Sequence, residues 1–164
     1  MVSREQGLAV LRASLGHPDA DFRHGQWEAI DGLVNHRQRL LVVQRTGWGK
    51  SAVYFIATRL LRDQGAGPTL IISPLLALMR NQVEAARRLR VNALTLNSTN
   101  RDDWPALQRQ VLDGQADVIL VGAATVRIEN YSGAQMSAPQ RQARQLRGQA
   151  EVPPIAVITH SADI

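Results

Sequence analysis

Four short apolar runs constrain what this chain can fold into. Residues 39–44 (RLLVVQ), 68–73 (PTLIIS), 92–96 (NALTL) and 117–121 (DVILV) are each too short for a helix. They lack the strict alternation of a strand with one wet face, so they read as strands buried on both faces. Stretches with helical spacing separate them, at 50–64, 75–90 and 102–112. Strands alternating with helices of about ten residues or more imply βαβ units, and therefore a mostly parallel α/β sheet covered by helices on both faces. Ligands of such sheets sit at the carboxyl ends of the strands.

Two helices are expected before the first run. Ser3 and Gln6 have the spacing of a capping box, and Leu8, Leu11 and Leu15 then recur at helical spacing until Gly16. After the turn signal His17-Pro18-Asp19, a second amphipathic stretch places Trp27, Ile30 and Val34 on one face. Gly65 is placed to end the helix over 50–64. Beyond Val121 the rhythm fails. Residues 122–150 hold five glutamines and few large apolar side chains, and no acid stands between Glu129 and Glu151. Arg141, Arg144 and Arg147 could share a helix face, but this composition reads as a solvated or disordered tail over 122–164, with a last strand at 155–158.

Composition removes whole classes of chemistry. With no cysteine there is no disulfide scaffold, thiolate metal site or cysteine nucleophile. The longest apolar run, residues 52–57, is six residues, against the ~18 of a membrane span. A cytoplasmic protein without a membrane partner is expected. The formal charge is +5, from 19 Lys+Arg against 14 Asp+Glu, and a polyanion partner or plain solubility would account for it equally.

Of those 19 cations one is lysine, and it falls in Gln44-Arg45-Thr46-Gly47-Trp48-Gly49-Lys50-Ser51, between an expected strand and an expected helix. Glycines there let backbone N–H groups turn inward around phosphate oxygens, and the helix N-terminus adds its dipole. The ammonium reaches the β- and γ-phosphates and the serine hydroxyl ligates Mg²⁺. Gln44 stands where the general phosphate-loop pattern has its first glycine, and the competing reading is a structural Gly-rich turn.

At this point the chain resembles the RecQ-like ATP-dependent DNA helicases of helicase superfamily two. Phe22-Arg23-His24-Gly25-Gln26 looks like their adenine-reading motif, and Thr46-Gly47-Trp48-Gly49-Lys50-Ser51 is similar to their motif I, with Trp48 bulky where a small residue is usual. Residues 73–83 (SPLLALMRNQV) resemble motif Ia, and Leu96-Asn97-Ser98-Thr99 resembles the short motif after it. The four motifs occur in family order over residues 21–121.

The resemblance implies N-terminal helices and a RecA-like P-loop domain over 1–121, incomplete or irregular afterwards, that binds ATP and Mg²⁺. Arg23, Gln26, Thr46, Gly47, Trp48, Gly49, Lys50 and Ser51 would hold the nucleotide. Lys50 and Ser51 would be catalytic, with Ser51 on Mg²⁺. Arg80, Asn97 and Ser98 would contact DNA, single-stranded or forked. Each motif has a plainer reading: Gln26 as a solvent-facing helix residue, Ser73-Pro74 as a strand stop, Arg80 with Arg87, Arg88 and Arg90 as a solvated helix face, and Asn97-Ser98 as a turn.

The sequence also departs from the family. Gly122-Ala123-Ala124-Thr125 stands where family members carry Ser-Pro-Glu-Arg, and the nearest match to their Asp-Glu-Ala-His box has Thr159 and His160 in place of the two acids. His160 then reads as a surface histidine, and Asp163 lies at the chain end. A translocating helicase of this type has a second motor domain, for which 164 residues leave no room. The chain is therefore expected to be a fragment, a truncated product or a frame-changed one, binding ATP and DNA without efficient turnover. The alternatives are a non-enzymatic nucleic-acid-binding module with a vestigial nucleotide site, or an unrelated P-loop kinase or small NTPase.

Overall fold

Helix α1 (Arg4–Leu15) begins at the expected capping box: the Ser3 side chain accepts from the Gln6 N–H, and the Gln6 side chain accepts from the Ser3 N–H. The molecule is described here by a computed structural model, which covers residues 1–73, 76–122 and the backbone of Ala156–Ile158. Helix α2 (Gln26–Val34) follows, tied to the N-terminus by Asn35, whose carboxamide accepts from the Val2 N–H at 2.7 Å and donates to the Val2 carbonyl at 2.8 Å. Trp27 lies over Gly7, where a Cβ would come within 2.6 Å of the indole, so that helix contact requires glycine.

Helix α3 (Lys50–Asp63) is the hub. Its Val53, Ile56, Ala57 and Leu60 pack against Leu8 and Leu11 of α1 and Ile30 and Val34 of α2, while its Tyr54 and Phe55 face the sheet. A helix apolar almost all round must be buried, and eight of its residues are.

The sheet contains β1 (Thr69–Ser73), β2 (Ala93–Leu96), β3 (Val118–Gly122) and β4 (Ala156–Ile158), in the order β2-β3-β1-β4 with every pair parallel. Helix α4 (Leu76–Arg88) connects β1 to β2; a 3₁₀ turn (Arg101–Asp103) and α5 (Trp104–Leu112) connect β2 to β3. The expectation of a parallel α/β sheet flanked by helices is met, and β4 lies within the last strand expected at 155–158. Ile71, Val118 and Leu120 bury one face completely, against Phe55, Met79 and Ala86. Leu94, Leu96 and Ile119 on the other face line an apolar groove of about 280 Å³ with Leu107, Val111 and Leu112 of α5. Among the described residues this second face is only partly covered, so β1 and β3 alternate in burial rather than being buried on both sides.

Three expectations change. Residues 39–44 do not form a strand, and Leu41 and Val43 are 90% and 79% exposed. An apolar run suits a ladder but cannot make one alone, and no described strand pairs with this one. The helix expected over 102–112 begins at Trp104, because Pro105 in its first turn has no N–H to carry the helix backward. The helix expected over 75–90 stops at Arg88, where Arg90 takes a left-handed conformation (φ 53°). The tail readings, including Arg141, Arg144, Arg147, Thr159, His160 and Asp163, lie outside the described residues.

The opposite edge of the sheet fixes the direction of α3. Arg62, near the helix end, bonds Asp117 just before β3 at 2.8 Å and the carbonyls of Ala66 and Gly114 at 2.7 and 2.9 Å. Asp117 also accepts from the Asn92 N–H ahead of β2 at 2.8 Å. The end of α3 is thereby held at the amino edge of the sheet, and its start, with the glycine loop, lies at the carboxyl edge. The chain leaves β1 and β2 at that same edge.

Candidate nucleotide and nucleic-acid site

The loop before α3 is built from backbone that only glycine adopts without strain. Gly47 and Gly49 have φ of 82° and 94°, and Gly49 is the N-terminal cap of α3. A Cβ on Gly49 would come within 2.7 Å of the Gln26 amide nitrogen and would displace that carboxamide. Lys50 folds back over the loop, its ammonium donating to the carbonyls of Gln44 at 2.6 Å and Arg45 at 3.2 Å. The only lysine of the chain is thus held over the loop by two backbone carbonyls, while the N–H groups opening α3 supply the positive end of its dipole.

Gln26 is 5% exposed and is not the solvent-facing residue that one reading of the sequence allowed. Its amide donates to the carbonyls of Trp48 at 3.0 Å and Gly49 at 3.4 Å, and its oxygen accepts from the Arg23 N–H at 2.9 Å. The Arg23 guanidinium donates to the Gly47 carbonyl. Residues 23 and 26 therefore brace the loop from a separate segment of chain. The Trp48 ring lies 3.7 Å from where a Gly25 Cβ would be, so its bulk fills the space between the upstream motif and the loop. Thr46 is exposed, and Ser51 is half-buried in the first turn of α3.

Among the described residues no three His, Asp or Glu side chains converge as a metal cluster. A Mg²⁺ carried on a nucleotide would take most of its ligands from phosphate and water, and the Ser51 hydroxyl in the first turn of α3 is an oxygen donor that such an ion would use.

A second concavity lies between α4 and the end of β2, a groove of about 750 Å³ whose lining includes Arg80, Arg87, Arg88, Glu84, Asn97 and Thr99. Arg80 and Asn97 meet here, and Ser98 is exposed on the adjoining turn. The turn reading of Asn97-Ser98 holds. The Asn97 side chain accepts from the Thr99 N–H at 2.8 Å and hydroxyl at 2.6 Å, while the Asn97 N–H donates to Asn100 at 2.9 Å. Glu84 pairs with Arg88 at 3.5 Å along α4, so the groove is cationic but not uniformly so.

Sequence reasoning passed over Tyr54 and Gln82. Tyr54 is one turn beyond Ser51, a spacing that places both on one helix face, and Gln82 lies inside the quoted stretch 73–83. Burial pushes the Tyr54 hydroxyl up to about 12, partly opposed by hydrogen bonds with Gln82 and Ser51. Tyr54 and Phe55 also share an apolar cluster with Met79 and Ala86, which joins the loop helix to the groove helix.

Residues 23–130 match the family described as DEAD/DEAH box helicase. The chain is 33% identical over 132 residues to the ATP-dependent DNA helicase RecQ of Haemophilus influenzae, a stretch that is 80% of this chain and 20% of that protein. It is 41% identical over 78 residues to the Bacillus subtilis protein of that name, covering 48% and 12% of the two chains. Against the one from Synechocystis the figures are 40% over 98 residues, 60% and 19%. The chain thus spans a fifth or less of the length of these relatives. No helix among the described residues is long and apolar enough to cross a membrane.

Proposed function

The chain belongs to the DEAD/DEAH box helicase family as a RecQ-like segment, and we propose that it is the ATP-binding and DNA-binding N-terminal part of a RecQ-like ATP-dependent DNA helicase. It works in the cytoplasm, and a second motor domain is needed for strand separation. ATP with Mg²⁺ occupies the loop of residues 46–51: Lys50 and the N–H groups opening α3 take the phosphates, and the Ser51 hydroxyl takes the metal. DNA follows the α4 groove past Arg80 and the turn at Asn97 and Ser98, its phosphates paired with guanidinium groups.

The observation that carries this reading is the bracing of the loop by Gln26 and Arg23. A structural glycine turn has no need of a buried carboxamide from another segment. Adenine offers an acceptor beside a donor, and a carboxamide matches that pair. Gln26 can meet it by redirecting the N–H that now makes the 3.4 Å bond to Gly49.

Calorimetry of ATP and GTP binding tests the proposal. Lys50→Ala is expected to lower ATP affinity by about tenfold or more, since a hydrogen bond to a charged group contributes ~1.5–3 kcal/mol. Gln26→Ala is expected to narrow the ATP-over-GTP preference. Equal ATP affinity in wild type and Lys50→Ala refutes the nucleotide site, and unchanged discrimination removes Gln26 from it. The α4 groove favours a second reading, a nucleic-acid-binding module with a vestigial nucleotide site, which would bind DNA but no ATP.

A further inference from the structure

One side chain holds the turn that leaves β2. The Asn100 amide donates to the Thr95 carbonyl at 2.7 Å, and its Oδ1 accepts from the Asn97 N–H at 2.9 Å and from the Trp104 indole N–H at 3.3 Å. Thr95 and Asn97 line the α4 groove and Trp104 opens α5, so a single carboxamide joins an indole to the groove wall. The indole is half-buried. Trp104 shares a helix face with Leu107 and Val111, which accounts for the buried part of the ring. The guanidinium of Arg101, an exposed residue, stands over the ring 6.0 Å from its centroid. Groups packed flat against each other approach to about 3.5–4.0 Å, so this cation covers the ring only loosely.

Charge decides which part of a strand such a ring takes. Arg101 is followed by Asp102 and Asp103, both exposed, so the start of α5 presents one cation against two carboxylates. Phosphate is disfavoured there and drawn instead to Arg80, Arg87 and Arg88 in the groove. A neutral base meets no such penalty. Its π face stacks on an indole whatever its identity, and a guanidinium can cover its other side.

We propose that Trp104, with Arg101 over its ring, is a stacking site for an unpaired nucleobase of a single strand whose phosphates lie in the α4 groove. This rests on the DNA reading above. Asn100 is a positioning residue, fixing the indole relative to Thr95 and Asn97. The strand is then held by two separable contributions, phosphates on α4 and a base on α5. Only the first is available to a duplex, whose bases are already stacked on one another, so the ring favours single strands.

Fluorescence anisotropy separates the two contributions. The 164-residue chain is titrated with a labelled oligothymidine strand and with an abasic strand of equal length, which has the same sugar-phosphate backbone and no bases, at several salt concentrations. Wild type is expected to prefer the base-bearing strand by about fivefold or more, the worth of one base on an aromatic ring. Trp104→Leu keeps an apolar side chain and removes the π face. It is expected to abolish that preference while leaving both the abasic affinity and the salt slope unchanged, since no phosphate contact is lost. Trp104→Phe, which keeps a ring, should retain most of the preference. Arg80→Ala should weaken both strands alike and leave the preference intact. A wild type that binds the two strands equally, a Trp104→Leu that weakens both alike, or a preference lost as fully in Trp104→Phe as in Trp104→Leu overturns the stacking site and leaves Trp104 as an anchor for α5. A wild type that binds neither strand at any salt concentration overturns the DNA reading itself, and the stacking site with it.

Discussion

Tyr54 shows what one side chain contributes beyond packing. Its hydroxyl is held near 12 where an exposed tyrosine titrates near 10, with burial as the larger cause. Because the folded value lies above the unfolded one, the folded state favours the neutral phenol. The stabilisation is whole below pH 10 and disappears as pH rises through 12. Two units correspond to about 2–3 kcal/mol at most. Wild type is therefore expected to lose stability to urea between pH 10 and 12 more steeply than Tyr54→Phe, which has no proton to lose there. Parallel losses in the two proteins would show that other groups dominate. Legibility at this scale was uneven. Lys50 could be singled out because it is the only lysine, and Gly49 because the loop needs its backbone, but the burial of Gln26 could not. A glutamine near the start of an amphipathic helix looks the same in sequence whether its carboxamide meets water or the carbonyls of Trp48 and Gly49.

Secondary-structure elements were readable where local chemistry closes them and unreadable where a distant partner decides. The capping box of α1 and the Gly65 that follows α3 are local devices, and both stand as expected. The run 39–44 has the composition of a strand, but pairing is supplied from elsewhere in the chain, and nothing in RLLVVQ reports whether a neighbour is there. The end of α4 was misplaced for a different reason. There the Val91 N–H reaches the Ala86 carbonyl at 3.0 Å and the Arg90 N–H reaches Arg87 at 3.0 Å, the bond pattern that ends α3 at Gly65. Arg90 takes the left-handed position of that motif at φ 53°, where Gly65 has 82°. A non-glycine residue there costs about 1–2 kcal/mol, part of which glycine gives back in unfolded-chain entropy. Arg90→Gly is thus expected to stabilise the protein by about 0.5–1 kcal/mol and to raise its melting temperature by a few degrees. An unchanged or lower melting temperature would mean that the arginine side chain makes a compensating contact.

At the scale of the whole molecule, the sheet gathers three separated pieces of sequence at one edge: the loop opening α3, the start of α4 after β1 and the turn after β2. Parallel strands force this, since every crossover helix must begin where a strand ends. Hence the order of motifs along the chain was enough to anticipate that these segments share one edge, although neither groove volume nor side-chain contacts could be anticipated. On the proposed reading DNA meets the α4 groove on this edge, where Arg80, Arg87 and Arg88 face one acid, Glu84. Binding through guanidinium–phosphate pairs releases counterions, and each phosphate neutralised on a single strand contributes about −0.7 to the slope of log K against log salt. Arg80→Ala is expected to make that slope shallower by about 0.7, and Arg80→Ala with Arg87→Ala by about 1.4. Glu84→Gln should act in the opposite sense, because it frees Arg88 from its 3.5 Å partner and removes a charge that repels phosphate. Fluorescence anisotropy with a labelled single strand at several salt concentrations measures the slope for wild type and each variant. A slope unmoved by the α4 variants but lowered by Arg144→Ala would take the contact surface away from α4 and give it to the glutamine-rich segment.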